Sequence, residues 1–466
     1  MTALPDPFRT SAVLRRAAGL SRQELEGLQL RKIQSLTSRL HATSPYYRRR
    51  MEEAKLEPEE ITSLEVFRMR FPCATKADFL ADQSSQPPFG GRLSIPRDEV
   101  ALVTATSGTS GQGQEIYGRS QRDVHLLGHL HAMPWFMAGL REGDVVINCV
   151  PSGGLTTGGW GPPEGFRIAG ATVFHLGGTH STEAKIELML SLGRVDFLYA
   201  STNYLHTLTQ GLLARGITPR ETLPAMHGLF IAGEGYPLEW AETMERLWGC
   251  RLQEGYGSTQ CHGFAGTTAP SGVFGANGGR GRIRLFEWEV LVEILDPRTG
   301  APVEPGARGE MVITNLSVEG SPAVRFRTGD AVRFVPWQEA GGGLCWNAIE
   351  SGTIGRFDDM MKIRGNNLWP QAVDAVVFAH GEIRDYRGRV FTRDGKTAVE
   401  ICVAFADHAS GVAAPRRADL LESVRQAIKE RTNVLMEVRE VPRSALPEFA
   451  LKARRWTDER QQGYRI

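Results

Sequence analysis

The segment Thr106-Ser107-Gly108-Thr109-Ser110-Gly111-Gln112-Gly113 alternates hydroxyls with glycines, just after the apolar run EVALVTA and before the strand-like EIYGRS. Such a loop can curl so that backbone N–H groups and hydroxyls converge on one anion. It has neither the lysine nor the spacing of a Walker P-loop. Taken alone it reads either as an anion cradle or as a flexible surface loop, since Gly/Ser loops are common. Metal chemistry has less to build on. Cys261-His262 offers too few ligands for a structural zinc, and His125, His129 and His131 belong to an apolar helical run, VHLLGHLHAMPWF, that suits core or surface histidines. No zinc is expected.

These groups must be held by something, and the chain is large enough to build it. Its 466 residues exceed what one compact core holds, so two or more domains are expected. The composition is that of a globular protein, 41% hydrophobic and 23% charged, with a formal net charge of +1. A balance this near neutrality gives no reason to expect a nucleic-acid or membrane partner. No apolar run is long enough to span a bilayer, and MTALPDPFRTSAVLRRAAGL lacks the apolar core of a secretory signal. Six cysteines without CxxC spacing fit a reduced, cytoplasmic protein.

The first 70 or so residues read as helices rich in Arg, Glu and Leu. From about residue 100 short apolar strands alternate with helices. The strand candidates are Val145–Val150, Ala171–Leu176, Val195–Ala200 and Leu229–Ala232; the helix candidates are Asp123–Ala138, Glu183–Leu192, Asn203–Leu213 and Pro237–Trp248, the last stopped by Gly249. This alternation predicts an α/β fold with mainly parallel sheet covered by helices, and ligands at the strand C-termini. EVLVEILD, the turn DPRTG and GEMVITNL predict a β-rich hairpin region. From about residue 356 the strand VEICVAF, the helix DLLESVRQAIKERT and the strand NVLMEVREV predict a small α+β module, which divides the chain into domains 1–355 and 356–466.

Taken together and in order, TATSGTSGQGQ, EGYGSTQ (Glu254–Gln260), RFRTGD (Arg325–Asp330), GRFDDMMKIRGNNLWP (Gly355–Pro370) and LKARRWTD (Leu451–Asp458) resemble the adenylate-forming superfamily over nearly the whole chain. FPCATKADFL and the short C-terminal unit resemble its phenylacetate–CoA ligase branch. The resemblance implies ATP, Mg²⁺ and CoA as ligands and a small carboxylic acid as substrate. It implies that Thr106, Ser107, Gly108, Thr109, Ser110 and Gly111 cradle the phosphates. Gly233, Glu234 and Gly235, with Glu254, Gly255 and Tyr256, would form the adenine slot, and Tyr256 would stack on the base. Thr259 would bond the α-phosphate, Asp330 would accept from the ribose hydroxyls, and Arg356 would support the ribose and the domain junction.

Lys452 would be the catalytic residue. Attack of a carboxylate on ATP brings two anions together, and an ammonium placed between them stabilises the transition state more than the separated reactants. The small domain, a mobile unit in this reading, would turn about a hinge at Asp358 to bring Gly365 beside the pantetheine thiol of CoA. Relatives in this branch often pair, so a homodimer is compatible.

Two charges typical of the superfamily are missing. Gln260 stands where a magnesium-binding carboxylate is usual; its amide can still offer an oxygen to Mg²⁺, but no charge. Gln112 stands where a lysine is typical. The acid pocket would be walled by Gly153, Gly154, Trp160, Tyr204 and Tyr236, with glycines leaving room for a flat ring and aromatics to stack on it. The expected reaction is formation of an aryl-adenylate with release of pyrophosphate, then of an aryl-CoA thioester and AMP. Two alternatives remain open at this level: transfer to an amine or a carrier-protein thiol, and a nucleotide-binding relative that has lost catalysis.

Overall fold

The computed structural model describes residues 7–106, 113–233, 235–357, 361–363, 366–393, 396–406, 414–446 and 455–460. Five helices open the chain: α1 Pro7–Ala18, α2 Arg22–Thr43, α3 Pro45–Glu53, α4 Leu64–Arg70 and α5 Lys76–Ser85. Capping explains where they begin. Ser21 and Thr75 each make a reciprocal capping box, with Glu24 and Asp78 as the returning carboxylates.

A short hairpin follows, β1 Leu102–Ala105 paired antiparallel with β2 Ile116–Arg119. Next comes α6 Gln121–Met137, capped by Ser120 and Asp123, and then alternating elements: β3 Val145–Pro151, α7 Thr157–Ala169, β4 Thr172–Gly177, α8 Thr182–Ser191, β5 Phe197–Ser201, α9 Thr202–Ala214, α10 Pro219–Thr222, β6 Gly228–Ala232, α11 Leu238–Trp248 and β7 Leu252–Ser258. Strands β4, β3, β5, β6 and β7 lie side by side and parallel. The β-rich region contributes β8 Gly263–Thr267, β9 Arg282–Leu285, β10 Val290–Leu295, β11 Arg308–Asn315, β12 Phe326–Val335, β13 Ala348–Glu350 and β14 Gly355–Arg356. The parallel and the β-rich parts are one sheet. Among the described residues it has twelve strands, antiparallel β8 and β9 join the two halves, and β14 pairs with β12.

The inner parallel strands β3, β5, β6 and β7 are largely buried on both faces, whereas the edge strand β4 exposes Thr172 and His175. Val146, Phe197, Tyr199 and Phe230 face the core under α6 and α7, with Trp135 and Phe166. Ile147, Leu198, Leu229 and Ile231 face the core under α8, α9 and α11, with Leu205, Met244 and Trp248. The C-terminal unit has its own core and a four-stranded sheet. A small hairpin, β15 Met361–Ile363 with β16 Asn366–Leu368, precedes that sheet, in which β17 Ile383–Arg393 and β18 Lys396–Phe405 form an antiparallel pair, flanked in parallel by β20 Trp456–Asp458 and β19 Glu437–Glu440. The expected strand over NVLMEVREV is therefore shorter than its apolar run, since Val434 and Met436 are spent on the core before pairing begins.

Helices α6 and α7 approach closely because α7 presents glycines. A Cβ on Gly161 would fall 2.0 Å from the His131 ring, and one on Gly165 would fall 2.5 Å from Trp135. Trp135 in turn stacks on Phe166, centroids 3.8 Å apart and planes within 3°. Gly158, by contrast, has open space around it. Gly165→Val is therefore expected to cost roughly 1–3 kcal/mol or more by overpacking, while Gly158→Ala leaves stability within about 1 kcal/mol of the parent. Urea unfolding of the two variants checks the contrast.

Candidate active site

The hairpin β1–β2 carries the hydroxyl–glycine loop. Its base is closed twice, by Thr106 N–H to the Glu115 carbonyl at 3.1 Å and by Glu115 N–H to the Thr106 hydroxyl at 3.0 Å. Ser107, Gly108, Thr109, Ser110, Gly111 and Gln112 lie outside the described residues.

Arg119, at the end of β2, is fully buried and binds the hairpin to the turn after β7. Its guanidinium donates to the Thr104 hydroxyl at 3.2 Å, the Ser321 carbonyl at 3.3 Å and the Thr259 carbonyl at 3.0 Å. Burial lowers its pKa to about 10. The Thr259 carbonyl also accepts from His262 N–H, so the turn holding Thr259 and Gln260 is fixed from both sides. Gln260 donates its amide N–H to the Glu115 carboxylate, with oxygens 3.0 and 3.3 Å away.

Tyr256, Asp330 and Arg356 do meet. The Tyr256 hydroxyl donates to Asp330 Oδ2 at 2.6 Å, and Arg356 Nη1 lies 3.1 Å from Asp330 Oδ1 and 3.0 Å from the Thr328 carbonyl. The backbone brings them together, since Asp330 and Arg356 are register partners in the β12–β14 ladder.

Glu254 is one strand step before Gly255 and is buried. It accepts from the Tyr236 hydroxyl at 2.6 Å and from Gly352 N–H at 2.9 Å. Burial pushes its carboxyl up to about 7 in spite of both donors. Tyr236, read from sequence as acid-pocket wall, is thus tied to the adenine-slot strand. Gly233 holds a left-handed φ of 99° where β6 ends, a conformation that favours glycine. Gly255 is constrained by packing instead, because a Cβ there would lie 2.5 Å from Phe264 and 2.9 Å from Phe230. Gly235 lies between β6 and α11, and Glu234 lies outside the described residues.

Around the acid pocket, Gly153 and Gly154 carry φ of 81° and 71°, and Trp160, 40% exposed, donates from its indole to the Gly154 carbonyl at 2.7 Å. Tyr204 turns its hydroxyl to α8, where Lys185 Nζ lies 3.0 Å away and also sits over the ring. Lys452, Asp358 and Gly365 lie outside the described residues. Arg455, just after Lys452 in sequence, donates to Asp385 at 2.7 Å and to Asn203 at the start of α9 at 2.8 Å.

Sequence reading passed over Glu115, Arg119 and Lys185. The first two had a visible signal: EIYGR alternates Glu115, Tyr117 and Arg119 on one strand face, and charge on the buried face of a strand marks a polar task. Among the described residues, one group of three metal-ligand types, Asp144, Asp196 and His227, is close enough to share an ion. It sits at the N-terminal ends of β3, β5 and β6, away from the loops described above. Arg194 and the amides of Arg141 and Val145 already occupy its carboxylates.

Residues 37–319 match the AMP-binding enzyme family, and residues 365–460 match the AMP-binding enzyme C-terminal domain. The chain is 30% identical to the phenylacetate-coenzyme A ligase of Thermus thermophilus over 451 residues, covering 92% of this chain and 95% of that one. It is 26% identical to the phenylacetate-coenzyme A ligase of Escherichia coli over 464 residues, covering 98% and 97%. Among solved structures, 2-hydroxyisobutyryl-CoA ligase in its postadenylation state with R3-HIB-AMP superposes with a TM-score of 0.85 at 22% identity, over 96% of this chain and 92% of that one. The same ligase with 2-HIB-AMP and CoA in its thioesterification state gives 0.67 at 23% identity, over the same 96% and 92%. The chain belongs to the AMP-binding, adenylate-forming enzyme family. Within it, this is an AMP-forming acid–CoA ligase related to the phenylacetate–CoA ligases.

The raised Glu254 carboxyl has a consequence for stability. Between the ordinary glutamate value of 4.5 and about 7 the folded chain keeps a proton that the unfolded chain has released. Unfolding free energy therefore falls as pH rises through that interval, by roughly 3 kcal/mol at most, and then levels. Urea midpoints of the parent and Glu254→Gln across this range check it, the variant losing that part of the slope.

Proposed function

We propose that the acid is small and aromatic, and that the residues described above divide the work of its activation. The observation that carries the reading is the meeting of Tyr256, Asp330 and Arg356 in a chain whose full-length relatives are phenylacetate–CoA ligases.

In this reading Asp330 takes the ribose hydroxyls, giving up part of its present bonding to Tyr256 and Arg356. Tyr256 lies against the base, and Glu254 keeps the slot's far wall, Tyr236 and Gly352, at a fixed spacing. Thr259 reaches the α-phosphate from a turn that Arg119 holds still. The acid's carboxylate oxygen then bonds to the α-phosphorus as the bond to the β-phosphate oxygen breaks, and pyrophosphate leaves. Lys452 stabilises the charge that grows between them. Arg455, bonded to Asn203 next to Tyr204, supports placing the C-terminal strand on the acid side of the site.

Rotation about Asp358 would then bring Gly365 beside CoA, whose thiol attacks the acyl carbon and expels AMP. A bound Mg²⁺ would neutralise phosphate charge during the first step. The glycines at Gly153 and Gly154 and the indole of Trp160 support a flat substrate.

Acid-dependent exchange of labelled pyrophosphate into ATP, screened over benzoates and phenylacetates, is expected to select an aryl acid, with thioester and AMP appearing once CoA is added. Lys452→Ala should lose roughly 100-fold or more in exchange rate while its KM for ATP stays near that of the parent. A variant with the full exchange rate, or a screen that selects only aliphatic acids, contradicts the respective claim.

A further inference from the structure

We propose that Glu115 is the carboxylate that holds the divalent cation accompanying ATP, in place of the neutral Gln260. The inference rests on the ATP-dependent reading above.

Glu115 is 1% exposed, and its carboxylate receives hydrogen bonds from the Gln260 amide at 3.0 and 3.3 Å and the Tyr117 hydroxyl at 3.1 Å. Both donors are neutral. Among the described residues no Lys, Arg or His forms an ion pair with it. Arg92 and Arg119 lie over the Tyr117 ring, 5.0 and 4.8 Å from its centroid; Arg119 is held by the bonds described above, while Arg92 pairs with Asp82 at 3.6 Å and donates to the Ile116 carbonyl, its Nε and Nη1 making no hydrogen bond among the described residues. An ionised carboxylate out of water with only neutral donors is costly, and two oxygens have lone pairs for more than three bonds. It calls for a cation.

Its place in the chain says which. Glu115 closes the base of the phosphate-loop hairpin through Thr106, and its carboxylate touches the residue after Thr259. It therefore lies between the two segments assigned to the triphosphate. With no cation between them, a carboxylate here would repel a polyanion. A hard divalent ion held by the carboxylate would put the same charge to use by neutralising the phosphates, and the Gln260 amide oxygen could serve as a further ligand. The chain that lacks an acid at position 260 supplies one from the residue just before β2, on a side chain in direct contact with Gln260.

The test is Mn²⁺ affinity by electron paramagnetic resonance, with and without α,β-methylene-ATP, alongside calorimetry of the analogue in the absence of metal. The proteins are the full-length parent, Glu115→Gln, Gln260→Glu, the double exchange Glu115→Gln/Gln260→Glu, and Tyr117→Phe. Glu115→Gln is expected to weaken Mn²⁺ in the ternary complex by at least roughly tenfold while metal-free analogue binding is kept or tightened. The double exchange should regain most of the loss, and Tyr117→Phe, which removes a donor to the same carboxylate, should weaken Mn²⁺ by less than Glu115→Gln does. If Glu115→Gln does not fold, Gln260→Glu alone decides, with tighter Mn²⁺ expected and unchanged affinity contrary. Parent-like Mn²⁺ affinity in Glu115→Gln, or an equal fall in metal-free binding, overturns the proposal and leaves Glu115 as a hydrogen-bond anchor. Failure of the parent to bind the analogue at all sinks the ATP reading instead, which separates the two.

Discussion

The carboxylate of Asp330 is shared between the hydroxyl of Tyr256 and the guanidinium of Arg356, and the rest of the site is arranged around that sharing. The three residues come from β7, β12 and β14, strands far apart in sequence, and only a continuous sheet can hold them in register. Strands β8 and β9 provide the continuity, turning the parallel half into the antiparallel half without a break in hydrogen bonding. A carboxylate bonded on both oxygens is positioned before any ligand arrives, so little conformational freedom remains to be lost on binding.

The same economy appears around it. Glu254 ties Tyr236 and Gly352 to the strand that ends in Tyr256, and Arg119 ties the loop-bearing hairpin to the turn that carries Thr259. Each tie is a buried polar group that is satisfied by partners from separate segments, and loss of one partner would leave the other group desolvated. The helices contribute less chemistry and more packing. The glycines of α7 let Trp135 and His131 seat against it, which sets the height of the layer above β3 and β5.

Much of this was legible in the residues. Apolar runs in the parallel half fell within a residue or two of the strands, because strands buried on both faces carry unbroken apolar side chains. The ordered motifs led to Tyr256, Asp330 and Arg356, which the sheet does bring together. What was not legible came from pairings between distant segments. The joining of both halves into one sheet depends on β8, GFAGT, a segment that carries no alternating apolar pattern; in the fold Gly266 packs against the Arg284 carbonyl, where a Cβ would come within 2.5 Å. The alternation in EIYGR marks Glu115 for a polar task, but only the fold puts Gln260 beside it. Tyr236 had been grouped with the acid pocket by position, and only the hydrogen bond to Glu254 shows its tie to the neighbouring strand. The assignments that fall at 107–112, 358, 365 and 452 rest on the motifs alone.

The central claim is that the Tyr256–Asp330–Arg356 cluster and the hairpin loop address one nucleotide. A crystal structure of the full chain with ATP or an aryl-adenylate tests it most directly. The account predicts ribose hydroxyls within hydrogen-bond distance of Asp330, the base against Tyr256, and the α-phosphate at Thr259. A nucleotide bound elsewhere, with Asp330 still bonded only to Tyr256 and Arg356, would contradict it.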